Sequence, residues 1–144
     1  MAMLTLDEFS IPDNIHIFIL EDTGVFQRKL QADLKSLGFK GKITLTATVK
    51  DALVNVVADR PSLILSDWNL PDGLGIEFLR MVRNDDIYKN IPFVMITTVD
   101  EIDNILEAVE SGVDGYIIKP WTIKELEEKI SFAYKKRNTI SLHF

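Results

Sequence analysis

Five times along this chain a short run rich in β-branched and aromatic residues is followed by a longer stretch with helical spacing. That alternation restricts the fold more than any other feature. The runs are 15–20, 43–47, 63–66, 93–97 and 116–119. Three of them are apolar throughout, the signature of strands buried on both faces of a parallel sheet. The run Ile43-Thr44-Leu45-Thr46-Ala47 alternates instead and reads as a strand nearer the edge. Between the runs, Phe26, Leu30 and Leu34 recur every four residues before Gly38, a C-terminal stop. Thr48-Val49-Lys50-Asp51 resembles a capping box ahead of Ala52, Leu53, Val56 and Val57, and Pro61 bars continuation. Ile76, Leu79, Met81 and Val82 form a third stripe before Asn84-Asp85-Asp86. Thr98-Val99-Asp100-Glu101 is expected to open the fourth helix, with Ile102, Ile105, Leu106 and Val109 facing inward and Gly112 as its stop. Thr122-Ile123-Lys124-Glu125 opens the fifth, with Leu126, Ile130, Ala133 and Tyr134 inward. Strands and helices in this order, joined by short connections, imply right-handed crossovers and a doubly wound α/β fold with a five-stranded parallel sheet.

At 144 residues, 47% of them hydrophobic, the chain can bury the core of one domain, and it contains no cysteine. Thiol nucleophiles, thiolate zinc sites, iron–sulfur clusters and disulfides are thereby excluded, and a reducing compartment suits the composition. The formal charge of −6 repels phosphate backbones and anionic lipids, so neither nucleic acid nor a membrane is an expected partner. No apolar run approaches the roughly 20 residues of a spanning helix, and residues 1–14 lack a basic and apolar leader pattern. The chain is therefore expected in the cytoplasm.

In an open α/β sheet, ligands bind beyond the carboxyl ends of the strands, near a topological switch point. There the runs deliver Glu21 and Asp22, then Asp67, Trp68 and Asn69, then Thr97 and Thr98, and finally Lys119. Three gathered carboxylates repel one another and suit a hard cation with open positions, such as Mg²⁺. The Lys119 ammonium can neutralise an anion on the far side of that cation and the Thr97 hydroxyl can donate to it, an arrangement suited to phosphoryl transfer. A carboxylate also serves as a nucleophile, and Asp67, central in the sheet, is the candidate to form an aspartyl phosphate. Taken singly, each feature has a plainer account. Glu21-Asp22 reads as a solvated turn before a helix, Lys119 as a surface lysine, Thr97 and Thr98 as caps, and Trp68, Tyr116 and Trp121 as packing aromatics. His16 and His143 have no metal-ligand company and carry no expected chemistry.

Four motifs occur together: Glu21-Asp22, Ser-Asp-Trp-Asn-Leu-Pro at 66–71 with Gly75, Ile-Pro-Phe-Val-Met-Ile-Thr at 91–97, and Gly-Tyr-Ile-Ile-Lys-Pro-Trp at 115–121. Through them, over about 15–136, the chain resembles response-regulator receiver domains, most closely the stand-alone chemotaxis (CheY-like) kind. The resemblance implies a flavodoxin-like sheet of order 2-1-3-4-5, with a receiver domain at 15–137, an N-terminal extension at 1–14 and a tail at 138–144. It implies that Asp67 is the phosphoacceptor and that Glu21, Asp22, Asp67 and the backbone carbonyl of Asn69 hold Mg²⁺. Thr97, Thr98 and Lys119 would border or contact the phosphoryl group, and Thr97 and Tyr116 would act as the switch. The implied donor is a sensor histidine kinase. The implied output face, built from the fourth helix, fifth strand and fifth helix, includes Asp100, Glu101, Tyr116, Trp121 and Phe132. Its partners would be a downstream target, the flagellar motor switch among the candidates, and a phosphatase. No enzyme is expected beyond autocatalytic phosphorylation and dephosphorylation.

Departures from the family pattern shape these expectations. Glu21 stands where an aspartate is usual, and Thr98 replaces a smaller residue. The fourth helix carries Asp100, Glu101, Asp103, Glu107 and Glu110 where flagellar-switch binders have lysines near its start, so the target is expected to differ or to have diverged. Phe132 lies off the core stripe of the fifth helix, and Ile140, Leu142 and Phe144 add apolar groups to the tail. Alternative readings are a phosphorelay intermediate or phosphate sink, an aspartyl-phosphate hydrolase, and a phosphorylation-independent binding module. The hydrolase needs a second acid two residues after its nucleophile, where Asn69 stands. The binding module usually lacks the acceptor or the lysine, and both are present. Val99 occupies a position where a polar or acidic group often sits near attacking water. A phosphoryl group on this chain is therefore expected to outlast that of fast-cycling chemotaxis receivers. Autodephosphorylation should be slower in the wild type than in Val99→Glu, and equal rates would contradict the reading.

Overall fold

The computed structural model describes residues 3–6 and 9–139, with side chains placed for 11–138. Strands β1 (Met3–Leu6) and β2 (Phe9–Pro12) form an antiparallel hairpin. There follow β3 (Ile17–Leu20), α1 (Gly24–Ser36), β4 (Ile43–Thr46), α2 (Val49–Asp59), β5 (Leu63–Ser66), β6 (Asn69–Leu70), β7 (Gly73–Leu74) and α3 (Gly75–Asn84). The chain continues through β8 (Phe93–Thr97), α4 (Ile102–Glu110), β9 (Gly115–Ile118) and α5 (Ile123–Thr139). The main sheet is parallel with order β4-β3-β5-β8-β9, which is 2-1-3-4-5 for its strands in chain order. The fold is the expected flavodoxin-like one.

The strand runs are apolar throughout because each strand serves two cores. On one face Ile17, Ile19, Leu63, Leu65, Val94, Ile96 and Ile117 pack against Leu30 and Leu34 of α1 and Leu126 and Ile130 of α5. On the other, Phe18, Leu20, Ile64, Phe93 and Met95 meet Ala52 and Val56 of α2, Phe78, Leu79 and Val82 of α3, and Ala108 of α4. Successive side chains of a strand point to opposite faces, so the assignment alternates residue by residue. β4 is the half-exposed edge strand that its alternation suggested.

Helix punctuation is partly as read. Thr48 caps α2 by accepting from the Asp51 N–H at 3.1 Å, and Thr122 does the same for the Glu125 N–H at 3.1 Å. Gly38 and Gly112 take positive φ of 102° and 97° after α1 and α4. The fourth helix departs from expectation. It begins at Ile102 rather than at the 98–101 capping pattern, and Ala108 is its buried residue. Ile102, Leu106 and Val109 are 67%, 52% and 57% exposed, so the stripe expected to face the core faces outward. Ala108 and the half-buried Asn104, Ile105 and Glu107 mark the side that turns toward the protein. Met81 and Val57, expected inside, are also exposed, and Phe78 fills the third helix's core position. Residues 1–14 show no pattern in the sequence, yet β2 lies against α5 and Ile11 is part of the core. His16, given no chemistry, ties an edge together: its Nε2 lies 2.7 Å from Thr44 Oγ1, and that hydroxyl donates to Asp59 Oδ2 at 2.8 Å.

At the amino ends of the strands, the Asp114 carboxylate is fully buried. It accepts from Arg83 Nη2 at 2.8 Å, from Arg137 Nε at 2.8 Å and from the Phe93 N–H at 3.0 Å. Burial, aided by the neighbouring Arg137 charge and opposed by Asp114, lowers the Arg83 pKa to about 10. The network joins α3, β8 and α5. Removing the acid leaves two guanidinium groups facing each other without their counter-charge. Asp114→Ala is expected to cost about 3–5 kcal/mol, read as a lower urea midpoint at unchanged slope; a loss under about 1 kcal/mol would contradict this role.

Candidate functional site

The parallel ladder continues one residue past each central strand and so fixes the site. The Glu21 N–H donates to the Thr46 carbonyl at 2.9 Å, the Asp67 N–H to the Leu20 carbonyl at 2.9 Å, and the Lys119 N–H to the Thr97 carbonyl at 2.8 Å. Backbone hydrogen bonding thus brings the ends of β3, β5, β8 and β9 to one edge. Gly75 starts α3 against this edge, and a Cβ there would lie 1.9 Å from the Asp67 carbonyl oxygen, so no larger residue fits without displacing the Asp67 loop.

At the centre, Lys119 Nζ donates to Glu21 Oε1 at 2.6 Å and to Asp67 Oδ2 at 2.7 Å. All three groups are buried. The second Glu21 oxygen accepts from the Thr23 N–H at 3.0 Å, and Asp67 Oδ1 accepts from the Trp68 N–H at 2.6 Å. Burial raises the Glu21 pKa above the usual carboxylate range, against the lowering effect of the bonds from Lys119 and Thr23. Asp22 is exposed at the rim. Oxygens of Glu21, Asp22 and Asp67 come within 4.8 Å of one another, a hard-donor set, buried on one side and open on the other, that fits a divalent cation.

The remaining candidates divide. Thr97 is buried at the end of β8, with its Oγ1 accepting from the Val99 N–H at 3.3 Å. Thr98 and Asn69 are exposed, Asn69 opening β6. The half-buried Tyr116 donates its hydroxyl to the Val99 carbonyl at 2.6 Å, which ties β9 to the loop after Thr97. Asp100 and Glu101 are exposed on that loop, and Phe132 is 55% exposed on α5. Trp121 corrects the expected output surface: it is only 4% exposed. Its large ring packs on Phe26 and its indole N–H donates to Asp33 Oδ2 at 2.9 Å, so it turns toward α1 instead of outward.

A family model described as the response regulator receiver domain matches residues 17–131. The chain belongs to the response regulator receiver family. It is 36% identical over 125 residues to a chemotaxis protein CheY of Pseudomonas aeruginosa, covering 85% of this chain and 98% of that one. It is 32% identical over 126 residues to CheY-3 of Vibrio cholerae, covering 85% and 94%. Among solved structures it resembles the receiver domain of a Pseudomonas aeruginosa sensor histidine kinase, which holds a magnesium ion in its active-site cleft. The TM-score there is 0.72 at 25% identity, covering 85% of this chain and 96% of that one. Membership places this receiver in two-component signalling of the chemotaxis type, with a kinase and downstream targets as partners in general terms. No helix among the described residues is long and apolar enough to cross a membrane.

Sequence reasoning missed three contributors to the site. The Thr23 and Trp68 N–H groups are backbone donors, on which side-chain patterns are silent. Phe26 looked like a core position of α1, and its ring lies against Lys119. Tyr116 offers a direct check on the site's charge. Burial, then the negative charges of Asp67, Glu101 and Asp100, pushes its hydroxyl up to about 12. The fold favours the protonated phenol, so any stability it contributes is present below pH 10 and is lost as pH rises toward 12. Absorbance titration at alkaline pH should show late tyrosine ionisation that loses one residue's amplitude in Tyr116→Phe, Tyr134 being raised by burial as well; ionisation of Tyr116 near 10 would contradict this.

Proposed function

We propose that this receiver is a phosphoacceptor switch in the cytoplasm, with Asp67 as the residue modified. The observation that carries the reading is the Lys119 ammonium held between Glu21 and Asp67 at the carboxyl edge of a receiver sheet. In the transfer, a carboxylate oxygen of Asp67 attacks the phosphorus of a phosphohistidine on a sensor kinase. The phosphorus–nitrogen bond breaks and an acyl phosphate forms. Glu21, Asp22, Asp67 and the Asn69 carbonyl would hold Mg²⁺, which would supply charge neutralisation for the phosphoryl oxygens. Lys119 and the Thr97 hydroxyl contact the same oxygens from the protein side, with Thr98 at the border. Hydrolysis of the acyl phosphate, unaided or with a phosphatase, resets the switch.

Thr97 and Tyr116 are the switch pair in this reading, and the Val99 backbone is the contact between them: its N–H meets Thr97 Oγ1 and its carbonyl accepts from Tyr116. A shift of Thr97 toward a phosphoryl group therefore alters the Tyr116 anchor. The affected face carries Asp100, Glu101 and Phe132, together with the outward Ile102, Leu106 and Val109 of α4. It presents an apolar strip edged with acids, which supports a protein target of the chemotaxis class whose contact surface differs from a purely charged one, diverged from the flagellar motor switch. The domain limits we adopt are 15–137, with 1–14 as an extension and 138–144 as a tail whose last five residues lie outside the described residues.

Incubation with acetyl phosphate and Mg²⁺, followed by intact-mass measurement, should add one phosphoryl group to the wild type and none to Asp67→Asn. Labelling that persists in Asp67→Asn, or that needs no divalent cation, would overturn the assignment.

A further inference from the structure

Two directions around the Lys119 ammonium are taken by carboxylates, and an aromatic face fills a third: Nζ lies 4.1 Å from the centroid of the Phe26 ring. The face of an aromatic ring carries partial negative charge and attracts a cation, more strongly where water is excluded. Lys119 is buried and Phe26 half-buried, so the contact is largely shielded from solvent. The ring is supported from behind. Trp121 packs on it at 5.8 Å between centroids with a 38° tilt, and Trp121 is fixed through its indole N–H to Asp33. Lys29 sits 4.3 Å over the Trp121 ring and 2.7 Å from Asp33 Oδ2. An unbroken set of contacts thus runs from Asp33 on α1 through Trp121 and Phe26 to the ammonium.

We propose that Phe26 is a positioning residue for phosphoryl transfer, its ring face holding the Lys119 ammonium beside Asp67. The inference rests on the receiver reading above. Glu21 and Asp67 serve both the ammonium and the candidate cation site, so a bound cation would draw on the same two carboxylates as Lys119. The ring does not compete. It is a partner that stays with the ammonium while the carboxylates are engaged, and it keeps the ammonium from swinging into water. An aliphatic side chain of similar volume would fill the space on α1 without that attraction, so the effect should follow the charge on the ring rather than its shape.

Stepwise fluorination of Phe26 withdraws charge from the ring face and barely alters its outline. In the full chain with Mg²⁺ and acetyl phosphate, the rate of phosphoryl gain is expected to fall with each added fluorine. In Phe26→Leu it should fall by about tenfold, the order of a desolvated cation–π contact, and Phe26→Tyr should retain most of it. A second readout needs no transfer: the methylene protons next to the Lys119 ammonium should resonate upfield of those of lysines away from aromatic rings, a set that leaves out Lys29 over Trp121, and lose that displacement in Phe26→Leu. Equal rates across the fluorinated series, with the wild type labelled, would overturn this inference and leave the receiver chemistry standing. Absence of labelling in the wild type would overturn the reading of the site and this inference with it.

Discussion

The carboxyl edge of this sheet depends on one ammonium. Two buried carboxylates at the ends of neighbouring strands are unfavourable unless a counter-charge accompanies them. Lys119 supplies it from β9, two strands away from Asp67 and three from Glu21, with 52 and 98 residues of chain between the partners. Reaching across the end of β8 takes the four-carbon stem of a lysine, and a point-like ammonium can serve two carboxylates at once. The Thr23 and Trp68 N–H groups complete the pairing, so each acid has a protein donor on both of its oxygens. The same features that make the arrangement stable make it exchangeable. A divalent cation would meet the acids Lys119 now occupies, with Asp22 already at the rim.

Much of this was legible in the sequence because burial on two faces leaves an unambiguous mark. The apolar runs 63–66 and 93–97 became β5 and β8 with the same limits, and the alternating run became the edge strand β4. Asp67, Glu21, Asp22, Thr97 and Lys119 were placed by the carboxyl ends of the strand runs, since each lies at or just past the last residue of a strand. What failed to show was set by tertiary context. The α4 stripe has the spacing of a core-facing helix, yet Ala108 is the residue it buries and Ile102, Leu106 and Val109 face outward. The hairpin at 3–12 pairs with itself and seats Ile11 beneath α5, a contact no local pattern announces. Trp121 reads singly as a packing aromatic, and only the resemblance placed it on the outer face; its acceptor on α1, distant in sequence, holds it inward.

The outward turn of α4 and the inward pairing at Lys119 belong to one mechanical unit. Val99 is held on one side by Thr97, at the floor of the site, and on the other by Tyr116, at the edge of the outer face. Only the exposed Asp100 and Glu101 separate Val99 from Ile102. A change at the carboxylates therefore needs to cross few contacts to reach the apolar strip. α4 touches the buried core chiefly through Ala108, which leaves it less firmly anchored than α3 with its five buried residues. A lightly anchored helix is where a two-state surface is least costly to build, which suits the switch role proposed for Tyr116.

The central claim is that Lys119 and a divalent cation compete for the same two carboxylates. A Mg²⁺ titration followed by the Thr23 and Trp68 amide resonances tests it most directly, because each amide donates to one of those acids. The account predicts saturable shifts of both amides in the wild type and tighter Mg²⁺ binding in Lys119→Met, where the competing ammonium is gone. Binding that is unchanged or weaker in Lys119→Met, or amides that do not respond to Mg²⁺, would contradict it.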